Sequence, residues 1–130
     1  MTVYVFGNQD SDLDNRVYKA VKKFPGMADY VFIKPNEDLP FAGKKRAVIL
    51  DTIQGIGKVT LFNQTSLDKL MVSRGTSAHD YDLGFQLKYL RKLGKIKEVL
   101  IIGIPQEGRV DYLRIQSILR KLVAQDIHGS

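Results

Sequence analysis

The 130-residue chain has no cysteine, which excludes a disulfide framework, a thiolate metal centre and a cysteine nucleophile. Histidine is scarce as well: there are only two, and the first, His79, stands in the segment "SAHDYDLGF". Long apolar runs are missing. The opening "MTVYVFGNQD" has no basic leader and turns polar after one short run, and "VLIIGIP" is far too short to cross a bilayer. From these absences the expectation is a soluble cytoplasmic protein with no membrane partner. Motifs for several chemistries are also lacking. There is no G-x-S-x-G elbow and no P-loop, and "GNQDSD" lacks the further glycines of a dinucleotide fingerprint. "GIGK" joins one strand pattern to another rather than to a helix, so it does not form a phosphate loop. Ser66, Ser73 and Ser77 have no base at the spacing of a known triad.

What is present suits one globular domain spanning residues 1–130, because 44% of the residues are hydrophobic and a chain of this length can bury a core without staples. The formal net charge is +6, from 20 Lys and Arg against 14 Asp and Glu. The cations form small clusters at "KAVKK", "GKKR", "KYLRKLGKIK" and "RKL", mostly where helix surfaces and turns are expected. No RNA-binding aromatic motif, zinc finger or helix-turn-helix pattern accompanies them, which argues against a nucleic-acid partner. The same charge suits an acidic protein partner.

Strand and helix patterns alternate along the chain. "TVYVF" (2–6) reads as a strand ending at Gly7-Asn8, and Val17, Val21 and Phe24 mark the helix that follows, closed by Pro25-Gly26. "DYVFIK" (29–34) is a second strand, followed by a loop over 35–43. "RAVILD" (46–51) has the nearly continuous apolar character of a central strand, with Asp51 at a carboxyl end that meets solvent. "KVTLFNQ" (58–64) alternates as an edge strand does and is entered through "QGIGK". A helix is predicted over 82–93, with Asp82 as N-cap and Gly94 just beyond its end. "EVLIIGI" (98–104) is the last buried strand, and a closing helix over 110–125 carries Leu113, Ile115, Ile118, Leu119 and Leu122 on one face. The expected fold is α/β: a three-layer αβα sandwich with a mainly parallel twisted sheet of about five strands and one antiparallel edge strand.

Ligands of open α/β sheets gather outside the carboxyl ends of the strands. Asp14, Asp51 and His79 fall there by sequence order: after the first strand, after "AVIL", and before the helix beginning near Asp82. Two carboxylates and an imidazole suit a borderline divalent cation such as nickel or zinc, with positions left open for other ligands. Each residue also has a plainer use. An acid at Asp14 favours the helix dipole, Asp51 can cap a turn through Thr52, and His79 beside Asp80 can be a surface histidine.

Taken in order, these segments resemble the hydrogenase maturation endopeptidases. "YVFGNQDSDLDNRVYKAV" is similar to that family's opening strand, Gly-Asn turn and acid-bearing helix, whose ligand acid lies six residues beyond the Asn, here Asp14. "AVILDTIQGIGKVTLF" is similar to its strand, acid and edge strand, matching Asp51. "TSAHDYDLGFQLKYLRKLGKIKEVLIIGIPQE" resembles its Thr/Ser-x-His segment, leucine-rich helix and "GIxP" strand end, matching His79. The resemblance runs from residue 2 to about residue 107.

The resemblance implies a phosphorylase/hydrolase-like αβα fold and a definite activity. Such an enzyme removes a C-terminal peptide from the large-subunit precursor of a nickel-iron hydrogenase once nickel is inserted, using that nickel for recognition. Asp14, Asp51 and His79 would be both its metal-binding and its catalytic residues, and Asn8 would shape the loop. Nickel arrives with the substrate, Zn²⁺ or Cd²⁺ would serve as surrogates, and no organic cofactor is implied. The chain departs from the family where "IKPNEDLPFAGKKRAVILD" lacks an Asp-Gly-Gly turn and room for a long helix. Leu13-Asp14-Asn15 replaces two acids and a glycine, and the segment after "GIPQE" is short. These losses describe a compact or divergent member. The alternative is a non-proteolytic metal- or protein-binding module that retains the fold and binds through basic residues such as Lys44, Lys45 and Arg46.

Overall fold

A computed structural model describes residues 1–6, 15–33, 46–53, 56–63 and 98–129. The β-branched and aromatic runs form five strands: β1 (Thr2–Phe6), β2 (Asp29–Ile33), β3 (Arg46–Ile53), β4 (Thr60–Asn63) and β5 (Glu98–Pro105). They make one sheet in the order β2-β1-β3-β5-β4. β1 runs parallel to β2 and β3, β3 parallel to β5, and β4 lies antiparallel on β5 as the edge strand. Strands buried on both faces need apolar side chains at consecutive positions, and β3 and β5 meet that need, with every residue after the first buried.

Two helices accompany the sheet among the described residues: α1 (Asn15–Lys23) and α2 (Tyr112–Gly129). α1 buries Val17 and Ala20 and half-buries Val21, with Phe24 half-buried just beyond its end, while Lys22 and Lys23 in its last turn oppose the negative end of the helix dipole. The Phe24 amide donates to the Ala20 carbonyl (3.2 Å) before Pro25 stops the helix. α2 starts at Tyr112 rather than at Val110 because Asp111 caps it. The Asp111 carboxylate accepts from the Arg114 amide (3.0 Å), and its carbonyl takes the first helical bond, from Ile115 (3.2 Å).

Both helices pack on one face of the sheet. Val17, Ala20, Ile115, Leu119 and Leu122 join Val3, Val5, Val48, Leu50, Ile102 and Ile104 in a single core. The opposite face buries Tyr4, Phe6, Ile33, Ala47, Ile49, Ile53, Val99 and Ile101. Burial of both faces is what a three-layer αβα sandwich requires.

The structure corrects several details. Leu113 does not share the buried face of α2 and is 78% exposed. Ile115, Leu119 and Leu122 recur at helical spacing, whereas a residue two positions before Ile115 falls on the opposite side. β3 extends to Ile53 and β5 to Pro105 because the two strands stay paired to that point. β4 is shorter than 58–64, and β2 is described to Ile33. The predicted helix over 82–93 and the loop over 35–43 lie outside the described residues.

Candidate functional site at the carboxyl end of the sheet

β1 and β3 are neighbours at the centre of the sheet. The chain leaves β1 toward β2 on one side and leaves β3 toward β4 and β5 on the other. In open α/β sheets a reversal of this kind is where ligands bind, outside the carboxyl ends of the two strands. Asp51 is on β3 at that end.

Asp51 is an interior strand residue, 2% exposed, followed by the buried Thr52 and Ile53. This corrects the expectation of a carboxyl group at a solvent-facing strand end, and the cause is the continued pairing of Thr52 with Ile104 and of Ile53 with Pro105. Strand alternation puts Asp51 on the face of Ala47, Ile49 and Ile53, away from α1 and α2. The Thr52 amide donates to Asp51 Oδ1 (2.8 Å), and Asp51 has interactions beyond this one. The local Asp51–Thr52 bond anticipated for a turn therefore forms inside a strand. Buried carboxylates persist only where partners replace the lost water.

The register sets Gly103 of β5 directly beside Asp51. A Cβ at Gly103 would lie 2.8 Å from both Ile53 Cδ1 and Phe62 Cε2, and 3.2 Å from Ile56 Cδ1. Glycine thus lets these three side chains close over β5 next to the acid, and β4 contributes by carrying Phe62 there. On the other face Thr52 Oγ1 is buried without a hydrogen-bond partner among the described residues, an arrangement that typically costs about 1–3 kcal/mol.

Arg16, in the first turn of α1, donates to the Pro105 carbonyl (3.1 Å). This bond ties the start of α1 to the end of β5 at the same edge of the sheet. Sequence reasoning assigned Arg16 no role, because nothing local distinguishes it from a solvated helix arginine.

Asp14 immediately precedes α1 in the chain, but it and His79 lie outside the described residues, as do Asn8, Asp80 and Asp82. Of the three expected ligands the structure therefore describes Asp51 alone. Among the described residues no three His, Cys, Asp or Glu side chains come together to hold a metal.

At the amino end of the sheet, far from Asp51, Met1, Thr2, Tyr4, Arg46, Val48 and Asp126 line a cavity of about 320 Å³. Its charges are internally balanced: Arg46 Nε is 3.5 Å from Glu98, an Arg46 nitrogen donates to Gln125 (3.1 Å), and the terminal amine is 4.0 Å from Asp126. The Arg46–Glu98 contact is an ion pair without hydrogen-bond geometry, since among the described residues Nε has no hydrogen-bond partner. Of the basic trio at 44–46, Lys44 and Lys45 lie outside the described residues.

A family model described as "HycI: Hydrogenase maturation protease" matches residues 35–129, more than half of the chain. The fold is similar to that of the hydrogenase maturating endopeptidase HybD from E. coli, with a TM-score of 0.67 at 19% identity, covering 99% of this chain and 94% of that one. It is also similar to the solution structure of an endopeptidase from Escherichia coli, with a TM-score of 0.62 at 16% identity and coverage of 96% and 89%. A crystal structure of an uncharacterized protein from Wolinella succinogenes shares the fold at a TM-score of 0.57 and 11% identity, with coverage of 99% and 98%. No curated protein sequence gives a significant match.

Proposed function

Because this chain belongs to the hydrogenase maturation protease family, we propose that it is a metal-dependent endopeptidase of the cytoplasm. On this reading it removes a C-terminal peptide from a nickel-loaded hydrogenase large-subunit precursor. The observation that carries the reading is Asp51, a carboxylate buried at the carboxyl end of the strand beside the switch point. In that position an acid can engage a substrate held outside the strand ends, and its burial strengthens every charge interaction it makes.

The nickel belongs to the substrate. Asp51, with Asp14 and His79, completes the coordination of that ion, and the metal polarises the scissile carbonyl or a water. Carboxylate and imidazole donors match nickel and zinc, so Zn²⁺ and Cd²⁺ serve as surrogates. Once the tail is cut and the substrate leaves, the enzyme retains no cofactor. Arg16 holds the start of α1 against β5, and Gly103 lets Ile53, Phe62 and Ile56 close over β5 beside Asp51.

A thermal-shift titration with Ni²⁺, Zn²⁺ and Cd²⁺ tests the ligand set. An ion at a hundred times its dissociation constant stabilises the fold by about 2.7 kcal/mol, a rise of several degrees in Tm. Asp14→Asn, Asp51→Asn and His79→Ala are each expected to abolish that response and the cleavage of a nickel-loaded precursor. A variant that keeps both removes its residue from the site.

A further inference from the structure

β2 is an outer strand of the sheet, and its backbone can be oriented from one bond. The Asp29 amide donates to the Met1 carbonyl (2.9 Å), so in the parallel ladder Asp29, Val31 and Ile33 direct their backbone groups at β1. The amides and carbonyls of Tyr30 and Phe32 consequently point outward, and among the described residues no strand covers them. Such a row of free donors and acceptors is a template for another strand. The side chains around it are unusually apolar for an edge: Val31 is 39% and Phe32 46% exposed.

α1 supplies the charge. Tyr18 stacks on Phe32 with ring centroids 5.0 Å apart and planes 3° from parallel, so the flank of α1 that carries Tyr18 faces β2. Lys22 is exposed one turn along that flank, and Lys19 is exposed on the outer side. The other flank is already engaged, with Arg16 on Pro105 and Lys23 over the Tyr112 ring at 4.2 Å. Lys22 therefore stands beside the open edge as a cation available to an acidic chain.

We infer that the outer edge of β2 docks an extended, acid-bearing segment of the protein substrate, added to the sheet as a sixth strand beside Lys22. The inference rests on the protease reading and extends it to how the substrate is held. The carboxyl end of β2 adjoins that of β1, where Ile33 pairs with Phe6. An added strand would lie three strand spacings of about 4.8 Å from β3, a gap spanned by roughly five extended residues. A segment docked on β2 thus reaches the Asp51 end of β3 within a few residues of its end, consistent with a protease that cuts near a chain terminus. Backbone pairing would supply affinity, and Val31, Phe32 and Lys22 the selection of side chains.

The test uses the full chain and a nickel-loaded hydrogenase large-subunit precursor from the same organism. Hydrogen exchange at the Tyr30 and Phe32 amides is expected to slow at least ten-fold when precursor is added. Phe32→Pro removes one outward N–H without touching the β1 ladder and is expected to weaken precursor binding at least ten-fold; Lys22→Glu weakens it too and flattens its salt dependence. Precursor that binds and is cleaved while both amides exchange as in the free protein overturns the docking strand and leaves the protease reading intact. Wild type that neither binds nor cleaves overturns both. If the same two amides are protected without precursor, in a dimer seen by sedimentation, the occupant is a second copy and the inference fails.

Discussion

Gly103 and Asp51 sit side by side on adjacent strands, and the contrast between them explains much of this end of the molecule. Nothing in "LIIGIP" marks its glycine as the residue that must lack a side chain. The requirement comes from Ile53 and Phe62, which approach the missing Cβ to 2.8 Å. Gly103→Ala is expected to destabilise the fold by about 1–3 kcal/mol, read as a lower midpoint in denaturant with unchanged slope. A second residue-scale prediction concerns Tyr30, whose phenol is raised above its ordinary pKa of 10.0 by burial. Its hydroxyl also donates to the Phe24 carbonyl (2.7 Å). The folded protein holds this phenol neutral to a higher pH than the unfolded chain does. Its contribution is complete below the unfolded value and is lost as pH rises through the folded one. Stability should therefore fall as pH climbs above about 10, and Tyr30→Phe should make that alkaline decline shallower in urea melts.

At the scale of elements, α2 shows how a helix is read correctly in kind and wrongly in one position. Its existence and its buried stripe of Ile115, Leu119 and Leu122 follow from the spacing of apolar residues. Leu113, expected on the same face, lies two positions before Ile115, and helical geometry sends it to the far side. Leu119→Ala is expected to cost about 2–5 kcal/mol, whereas Leu113→Gln should change stability by less than about 0.5 kcal/mol; paired thermal melts of the two variants check this. β4 was legible as an antiparallel edge strand, since "KVTLFNQ" alternates and follows a glycine-rich turn. Its length was not, because the strand's ends are set by pairing with β5. The same holds for β3, whose last two residues extend the strand only because Ile104 and Pro105 lie opposite them.

At the scale of the whole molecule, the alternation of strand and helix patterns and the order of "VFGN", "AVILD" and "GIP" were enough to indicate an α/β sheet of the hydrogenase maturation protease kind. The family match over 35–129 and the HybD-like fold agree with that reading. No helix among the described residues is long and apolar enough to cross a membrane. Of the three expected site residues only Asp51, which follows a buried run, lies among the described residues, near the carboxyl end of β3. What local sequence could determine was periodicity, because the alternation of side chains along a strand or around a helix is a property of the backbone itself. What tertiary structure alone decided was depth and neighbourhood: that Asp51 is enclosed rather than solvated, that Gly103 lies beside it, and that Arg16 bridges to Pro105. Those facts depend on which strands pair and in what register, and contacts between residues about 50 to 90 positions apart leave no periodic trace in either partner.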